Sequence, residues 1–137
     1  MSRAFHHPLL QLITEDTRYP LEAYQFVRDA LAYAQEILQM GRPAPTGKSD
    51  ADEERHLTGQ ELCEAARQYA IQQYGMLALV VLKNLGIHST SDIGEIVYNL
   101  IRVKLMKKSP TDRREDFNDV YDFAEAFNDP TTFTEIA

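Results

Sequence analysis

Residues 58–101 read TGQELCEAARQYAIQQYGMLALVVLKNLGIHSTSDIGEIVYNLI, and this stretch decides the fold. Thr58 and Glu61 have the spacing of a capping box, in which each side chain accepts a hydrogen bond from the other residue's backbone N–H. Apolar residues then recur with helical periodicity as far as Gly75, which we expect to interrupt or kink the helix. Gly86 closes the next helical segment, and Thr90 or Ser91 is a suitable N-cap for a third. The stretch therefore predicts three successive helices.

The middle of this stretch is unusual because it is apolar on every side. Residues Met76–Leu82 include no polar side chain. A helix that exposes one face to water normally keeps polar residues on that face. We therefore predict that this segment is buried centrally or packs against another chain.

The preceding residues predict an N-terminal helical hairpin over residues 1–41. A short helix is expected over Phe5–Ile13, and Pro20 suits the first turn of a second helix over Leu21–Met40. Gly41 is placed to end that helix. Residues 42–57 combine prolines, a glycine and many charges, which predicts a flexible loop.

The residues after the third helix change in character. Residues 105–123 have turn residues in their middle and partly alternate between apolar and polar, which favours a short β-hairpin. Residues 128–137 read as a tail. The expected fold is mainly α: one domain over residues 1–137, in which the helical hairpin packs on a C-terminal half, residues 58–127. The turn between Leu85 and Thr90 resembles that of a helix-turn-helix, so this half is expected to be winged-helix-like, with the β-hairpin as its wing.

Composition places the chain among ordinary globular proteins. It has 137 residues, 44% of them hydrophobic and 26% charged, which excludes a collagen, a disulfide scaffold and a wholly disordered chain. Its single cysteine cannot form an intramolecular disulfide. No secretory signal and no apolar run of membrane-spanning length is recognised, so we expect a cytoplasmic protein with no membrane association. The net charge of −7 disfavours nucleic acid unless a local basic patch overrides it.

Such a basic strip follows the third helix. Six basic residues lie between positions 102 and 114, against the single acid Asp112, whereas only acids follow from Glu115 onward; the six are Arg102, Lys104, Lys107, Lys108, Arg113 and Arg114. The strip and the acids could neutralise each other across the hairpin. A phosphate-binding wing and a protein-docking surface are the alternatives.

A groove-binding third helix would bring a mixed set of side chains to base edges. That set contains two acids near its leading end, where phosphates would crowd them; the residues are Ser91, Asp92, Glu95, Asn99 and Arg102. The helix itself is therefore a poor candidate for base contacts.

Residues with catalytic or metal-binding chemistry are few. The four histidines (His6, His7, His56 and His88) and Cys63 have no zinc-ligand spacing, and no glycine-rich phosphate loop is present. We expect no metal, no cofactor and no catalytic residue, although catalytic groups can also converge from distant positions. Asp16 and Arg18 stand at a helix entrance, where their charged groups can hold a loop as a structural ion pair.

Four blocks of the sequence resemble a small uncharacterised bacterial family associated with planctomycetes and verrucomicrobia. The first is Asp16-x-Arg18-Tyr19-x-x-Glu22-Ala23-Tyr24-x-Phe26-Val27. The others are Arg55-His56-Leu57-Thr58-Gly59-Gln60-Glu61-Leu62, Thr90-x-Asp92-x-Gly94-Glu95-Ile96-Val97-Tyr98, and Asp112-x-x-Glu115-Asp116-Phe117 with Tyr121-Asp122-Phe123. The resemblance implies a lineage and no activity, and it supplies no catalytic residue.

Three functions remain open from the sequence. The leading one is a non-enzymatic interaction or regulatory module that binds another protein or itself. The first alternative is a nucleic-acid-binding winged-helix regulator that uses the basic strip. The second is a small-molecule sensor or enzyme with a pocket between the two halves.

Overall fold

The structure, a computed structural model, describes residues 7–40, 57–108 and 113–128. These residues form six α-helices and no β-strand, so the expectation of a mainly α protein is confirmed. The helices are α1 (Pro8–Glu15), α2 (Leu21–Glu36), α3 (Gly59–Tyr74), α4 (Ala78–Asn84), α5 (Thr90–Arg102) and α6 (Phe123–Asn128). The expected helix end at Gly41, the loop up to His56 and the tail after Asn128 lie outside the described residues.

The two N-terminal helices begin where local chemistry dictates. α1 has a proline at its first position, and the Nδ1 atom of His7 accepts a hydrogen bond from the Leu9 N–H at 3.1 Å. α2 begins directly after Pro20. It ends at Glu36, four residues before the predicted end at Met40. Gln39 adopts a positive φ of 54°, which is incompatible with a continuing α-helix, and Ile37 is exposed, so another helical turn would gain little from apolar burial.

α3 begins with the predicted capping box. The Thr58 N–H donates to the Glu61 carboxylate at 2.9 Å, and the Glu61 N–H donates to the Thr58 hydroxyl at 3.0 Å. α2 and α3 share the most extensive helix–helix contact of the described chain. Small side chains line much of it, including buried Ala30 and Ala66, and Phe26 packs on Tyr69.

Two glycines shape the connections around α4. Gly75 ends α3 at a φ of +55°, and a single 3-10 turn, Gly75–Leu77, leads into α4. Gly86 follows α4 at a φ of +82°, a conformation that disfavours residues with a Cβ. α5 then packs Ile93, Ile96 and Leu100 into a core that takes residues from all six helices.

The predicted β-hairpin is wrong in the described part of residues 105–123. Arg114–Phe117 forms a 3-10 helix instead, and α6 begins at Phe123. Asp122 caps α6, since its carboxylate accepts the Glu125 N–H at 3.1 Å. Phe123 and Phe127 then lie on one helical face and are both buried. Without strands in the described residues, the C-terminal half has no wing there.

None of the described helices combines the length and the apolar character needed to cross a membrane.

Candidate functional site

A cluster of charged and polar side chains joins the α1–α2 connection to α5. Asp16 accepts hydrogen bonds from three donor groups of Arg18: Nη2 at 2.6 Å, Nε at 3.0 Å and 3.2 Å to the two carboxylate oxygens, and the backbone N–H at 3.1 Å. The Arg18 guanidinium holds the pKa of the Asp16 carboxyl well below its usual range. The paired residues therefore hold the connection in one conformation, as expected of a structural ion pair.

The cluster reaches α5 through Asn99 and Glu95. The Asn99 amide donates to Asp16 at 3.1 Å and to the Tyr24 hydroxyl at 3.0 Å, while Arg18 Nη2 lies 3.3 Å from Glu95. These contacts could not be predicted from local sequence, because the partners lie far apart along the chain. We call Asp16, Arg18, Glu95 and Asn99 the polar cluster.

A buried tyrosine adds a second link to α5. Tyr19 is only 2% exposed, and its hydroxyl donates to the Asp92 carboxylate at 2.5 Å. The other Asp92 oxygen accepts the His88 backbone N–H at 2.8 Å. Burial raises the pKa of Tyr19 well above its usual value, and the hydrogen bond to Asp92 raises it further. Asp92 thus links a buried hydroxyl to the turn before α5.

These contacts occupy the face of α5 that a groove-binding helix would present. Arg102 pairs with Glu15 at 2.8 Å, and the Ser91 hydroxyl donates to Asn118 at 2.9 Å. Asp92 accepts from Tyr19, Glu95 pairs with Arg18, and Asn99 donates to Asp16. Every residue of the expected base-contacting set therefore has a partner within the protein. α5 therefore does not offer a free recognition face.

The basic strip is divided by the fold. Arg102 pairs with Glu15, and Arg114 lies 3.8 Å from Glu95 and over the Tyr98 ring. The acids that pair with these arginines come from α1 and α5, and not from the acidic stretch after position 115, so the expected pairing across a hairpin is wrong for both. The lysine at position 108 is exposed.

The other three cations of the strip line one open pocket. Lys104, Lys107 and Arg113 are exposed side chains at its edge. In the described residues none of the three forms an ion pair. This grouping of cations around a concavity was not evident from the sequence, which showed only a linear run.

The apolar segment predicted in the sequence is partly exposed. Met76 is 80% exposed, Leu77 63% and Val80 54%, whereas Ala78 and Leu82 are buried. Central burial is therefore wrong for three of its residues. Met76 and Leu77 lie in the 3-10 turn before α4, and Val80 lies in the first turn of α4. These three exposed residues are called the apolar patch below.

Cys63 and His7 are structural in their surroundings. Cys63 is fully buried in α3, and the Tyr121 hydroxyl donates to its carbonyl oxygen at 2.6 Å. His7 caps α1 and His88 is exposed; His6 and His56 lie outside the described residues. Among the residues that the structure describes, no three His, Cys, Asp or Glu side chains come together as a metal site.

The thiol of Cys63 is expected to resist alkylating and disulfide reagents in the folded protein. Burial raises its pKa to about 12, so the reactive thiolate is scarce near neutral pH. Labelling with Ellman's reagent at mildly alkaline pH should be slow for native protein and fast for protein unfolded in urea. Equally fast labelling of both would show that the α3 environment opens readily.

Comparison of the chain with protein-family models, with curated proteins and with solved structures found no match in any of the three. The resemblance to the planctomycete and verrucomicrobial family therefore stays a prediction.

Proposed function

We propose that this chain is a non-enzymatic interaction module that self-associates through the apolar patch. The observation that carries the proposal is the exposure of three large apolar side chains, Met76, Leu77 and Val80, close together in sequence where the 3-10 turn leads into α4. Single exposed apolar residues are common on protein surfaces, but contiguous apolar surface is typical of interaction sites. The patch has neighbours that extend it, since Leu79 and Val81 are half-buried.

The lack of charged residues around the apolar patch allows a second copy to be the partner. Residues 68–82 contain no Asp, Glu, Lys, Arg or His, while the chain as a whole carries −7. Two copies repel each other through that net charge, so they approach at lowest cost where neither presents charged groups. A twofold contact places the same patch on both sides, and two apolar patches match each other without any unpaired polar group.

The expected association is weak. Fully burying a Val, Leu or Met side chain contributes roughly 1.5–3 kcal/mol. Two copies contribute six such side chains, none of them fully exposed at the start, against an association cost of about 4–15 kcal/mol. We therefore expect a dissociation constant on the order of micromolar or weaker, which corresponds to about 8 kcal/mol or less.

Sedimentation equilibrium or gel filtration with light scattering tests the proposal. The wild-type chain should pass from monomer to dimer as its concentration rises through the micromolar range. Val80→Glu should abolish the dimer, because it places a carboxylate at the contact. Met76→Gln should weaken it without adding charge.

Gln60→Glu is the matched control. It adds the same charge at an exposed position in the first turn of α3, at the other end of that helix from the apolar patch. It should leave the dimer intact, and circular dichroism should show all three variants folded. A wild-type chain that stays monomeric at high micromolar concentration would overturn self-association and leave the patch to a different protein. A dimer that survives Val80→Glu would show that the contact lies elsewhere.

A further inference from the structure

A pocket on another face of the molecule has the make-up of a binding site for a small amphipathic anion. It has a volume of about 230 Å³ and lies between α2, α3, α5 and the 3-10 helix Arg114–Phe117. It opens between α2 and the C-terminal half. Its location is separate from the apolar patch, none of whose residues lines it.

The interior of the pocket is apolar. Aliphatic and aromatic side chains from all four elements line it, among them Leu31, Leu62, Ile101, Leu105 and Phe117. Leu62 and Phe117 are buried and belong to the core, so this part of the pocket is held by packed residues. Such a surface favours a hydrocarbon group over water.

The edge of the pocket is cationic. Lys104, Lys107 and Arg113 line it, and among the described lining residues Asp116 is the only carboxylate. Asp116 accepts the backbone N–H of Arg113 at 3.2 Å, so that hydrogen bond does not use the guanidinium. Within the described lining, three cations stand against one acid on a chain of net charge −7. These described side chains form a local field of opposite sign to that of the whole chain.

Lys104 stands where glycine is the favoured residue. α5 ends in a Schellman motif: the Lys104 N–H donates to the Ile101 carbonyl at 2.9 Å, and the Leu105 N–H donates to the Leu100 carbonyl at 2.9 Å. The residue after such a helix end adopts a left-handed conformation, and Lys104 has a φ of 68°. A lysine there lowers stability relative to glycine or asparagine, yet it places an ammonium group at the pocket.

We propose that this pocket binds a small carboxylate with a short aliphatic chain, with the hydrocarbon inside and the carboxylate between Lys107, Arg113 and Lys104. The guanidinium can donate two parallel hydrogen bonds to the carboxylate, while the lysines act as point charges. The volume of 230 Å³ is below the range of drug-sized sites, and it holds roughly eight water-sized groups at about 30 Å³ each. A medium-length chain such as that of octanoate matches this space.

Calorimetric titration of the full chain with three probes tests the proposal. Octanoate should bind, and its affinity should fall as salt is added. Octanol has a similar chain without the charge, and acetate has the charge without the chain, so both should bind at least roughly tenfold more weakly, a difference of about 1.4 kcal/mol. No octanoate binding at millimolar concentration would overturn the proposal, and so would octanol binding as tightly as octanoate.

Variants locate the site and separate binding from folding. Lys107→Gln combined with Arg113→Gln should weaken octanoate binding by roughly tenfold or more, whereas Lys83→Gln, an exposed lysine on α4, should not change it. Lys104→Asn should also weaken binding but unfold at the same or a higher urea concentration than wild type, because asparagine tolerates the left-handed conformation. Unchanged octanoate affinity in the double variant would place binding elsewhere. Since the apolar patch is not involved, Val80→Glu should bind octanoate like wild type.

Discussion

Replacing Gly86 by alanine is expected to lower the free energy of unfolding by about 3 kcal/mol, the largest single effect that we anticipate. A Cβ at Gly86 would lie 2.6 Å from the Arg18 carbonyl oxygen, a backbone atom that cannot rotate away. The φ of +82° adds the usual cost of a left-handed conformation for a residue with a side chain, about 1–2 kcal/mol. Urea unfolding followed by circular dichroism measures the loss.

Gly75→Ala is the control that separates the two contributions. Gly75 also has a positive φ, of +55°, but a Cβ there meets no heavy atom within 4 Å. Only the conformational cost applies; because the ψ of −131° lies outside the left-handed helical region, we expect a loss of about 1–3 kcal/mol. A loss for Gly86→Ala that does not exceed the loss for Gly75→Ala would show that the clash between the added Cβ and the Arg18 carbonyl oxygen is relieved at no cost in stability.

The second large effect is expected at the polar cluster. Asp16→Asn replaces the oxygen that accepts Arg18 Nη2 at 2.6 Å and Asn99 Nδ2 at 3.1 Å by an NH₂ group, or forces the amide to give up its other contacts. The N–H groups of Arg18 and Asn99 would then point at another N–H donor. The Arg18 side chain is 55% exposed, so solvent screens part of the interaction, and we expect a loss of about 1–2 kcal/mol near neutral pH.

The pH dependence identifies the charge of Asp16 as the cause. Its pKa is lowered in the folded state, mainly by the hydrogen bonds from Arg18, so the unfolded chain binds the proton more readily. The stabilisation is therefore fully present above the unfolded pKa of about 3.9 and is lost as the pH falls toward the lower folded pKa. The difference in stability between wild type and Asp16→Asn should be constant above about pH 5 and should shrink at lower pH.

Glu36→Gln provides the comparison. Glu36 is an exposed carboxylate at the end of α2, and its removal should change stability by less than about 0.5 kcal/mol at any of these pH values. A difference for Asp16→Asn that stays constant down to low pH, or that grows on acidification, would contradict an ionised Asp16 as the source of the stabilisation.

Predictions from the sequence were accurate where the signal and its effect lie within one helical turn. The capping box of Thr58 and Glu61 and the interruption at Gly75 are examples, because a cap or a positive φ acts on the nearest few backbone groups. The end of α2 was placed too late, since the apolar pattern extended past Glu36 while Gln39 took a left-handed conformation.

The segment expected to form a hairpin shows how a short pattern misleads. Between Phe117 and Phe123, apolar and polar residues partly alternate, which favours a strand. The aromatic residues at 123 and 127 have helical spacing, however, and Asp122 is a cap for the helix that buries both. In the helix, the rings of Phe123 and Phe127 pack against each other with their centroids 5.2 Å apart. The alternating pattern that predicted a strand does not take this contact into account.

By itself, the sequence determined the mainly helical character, the start of α3, the kink at Gly75 and the acidic charge, all of which follow from composition or from contacts between near neighbours. Only the tertiary structure decided which polar and charged side chains pair with each other. Tyr19 donates a hydrogen bond to Asp92, 73 residues away, and Arg102 donates one to Glu15, 87 residues away. It also left Met76, Leu77 and Val80 exposed where the sequence allowed burial. Both the pairing of distant side chains and the exposure of apolar ones depend on how whole helices pack. Because hydrophobic burial is non-directional, the local sequence does not show which surface will cover a given side chain.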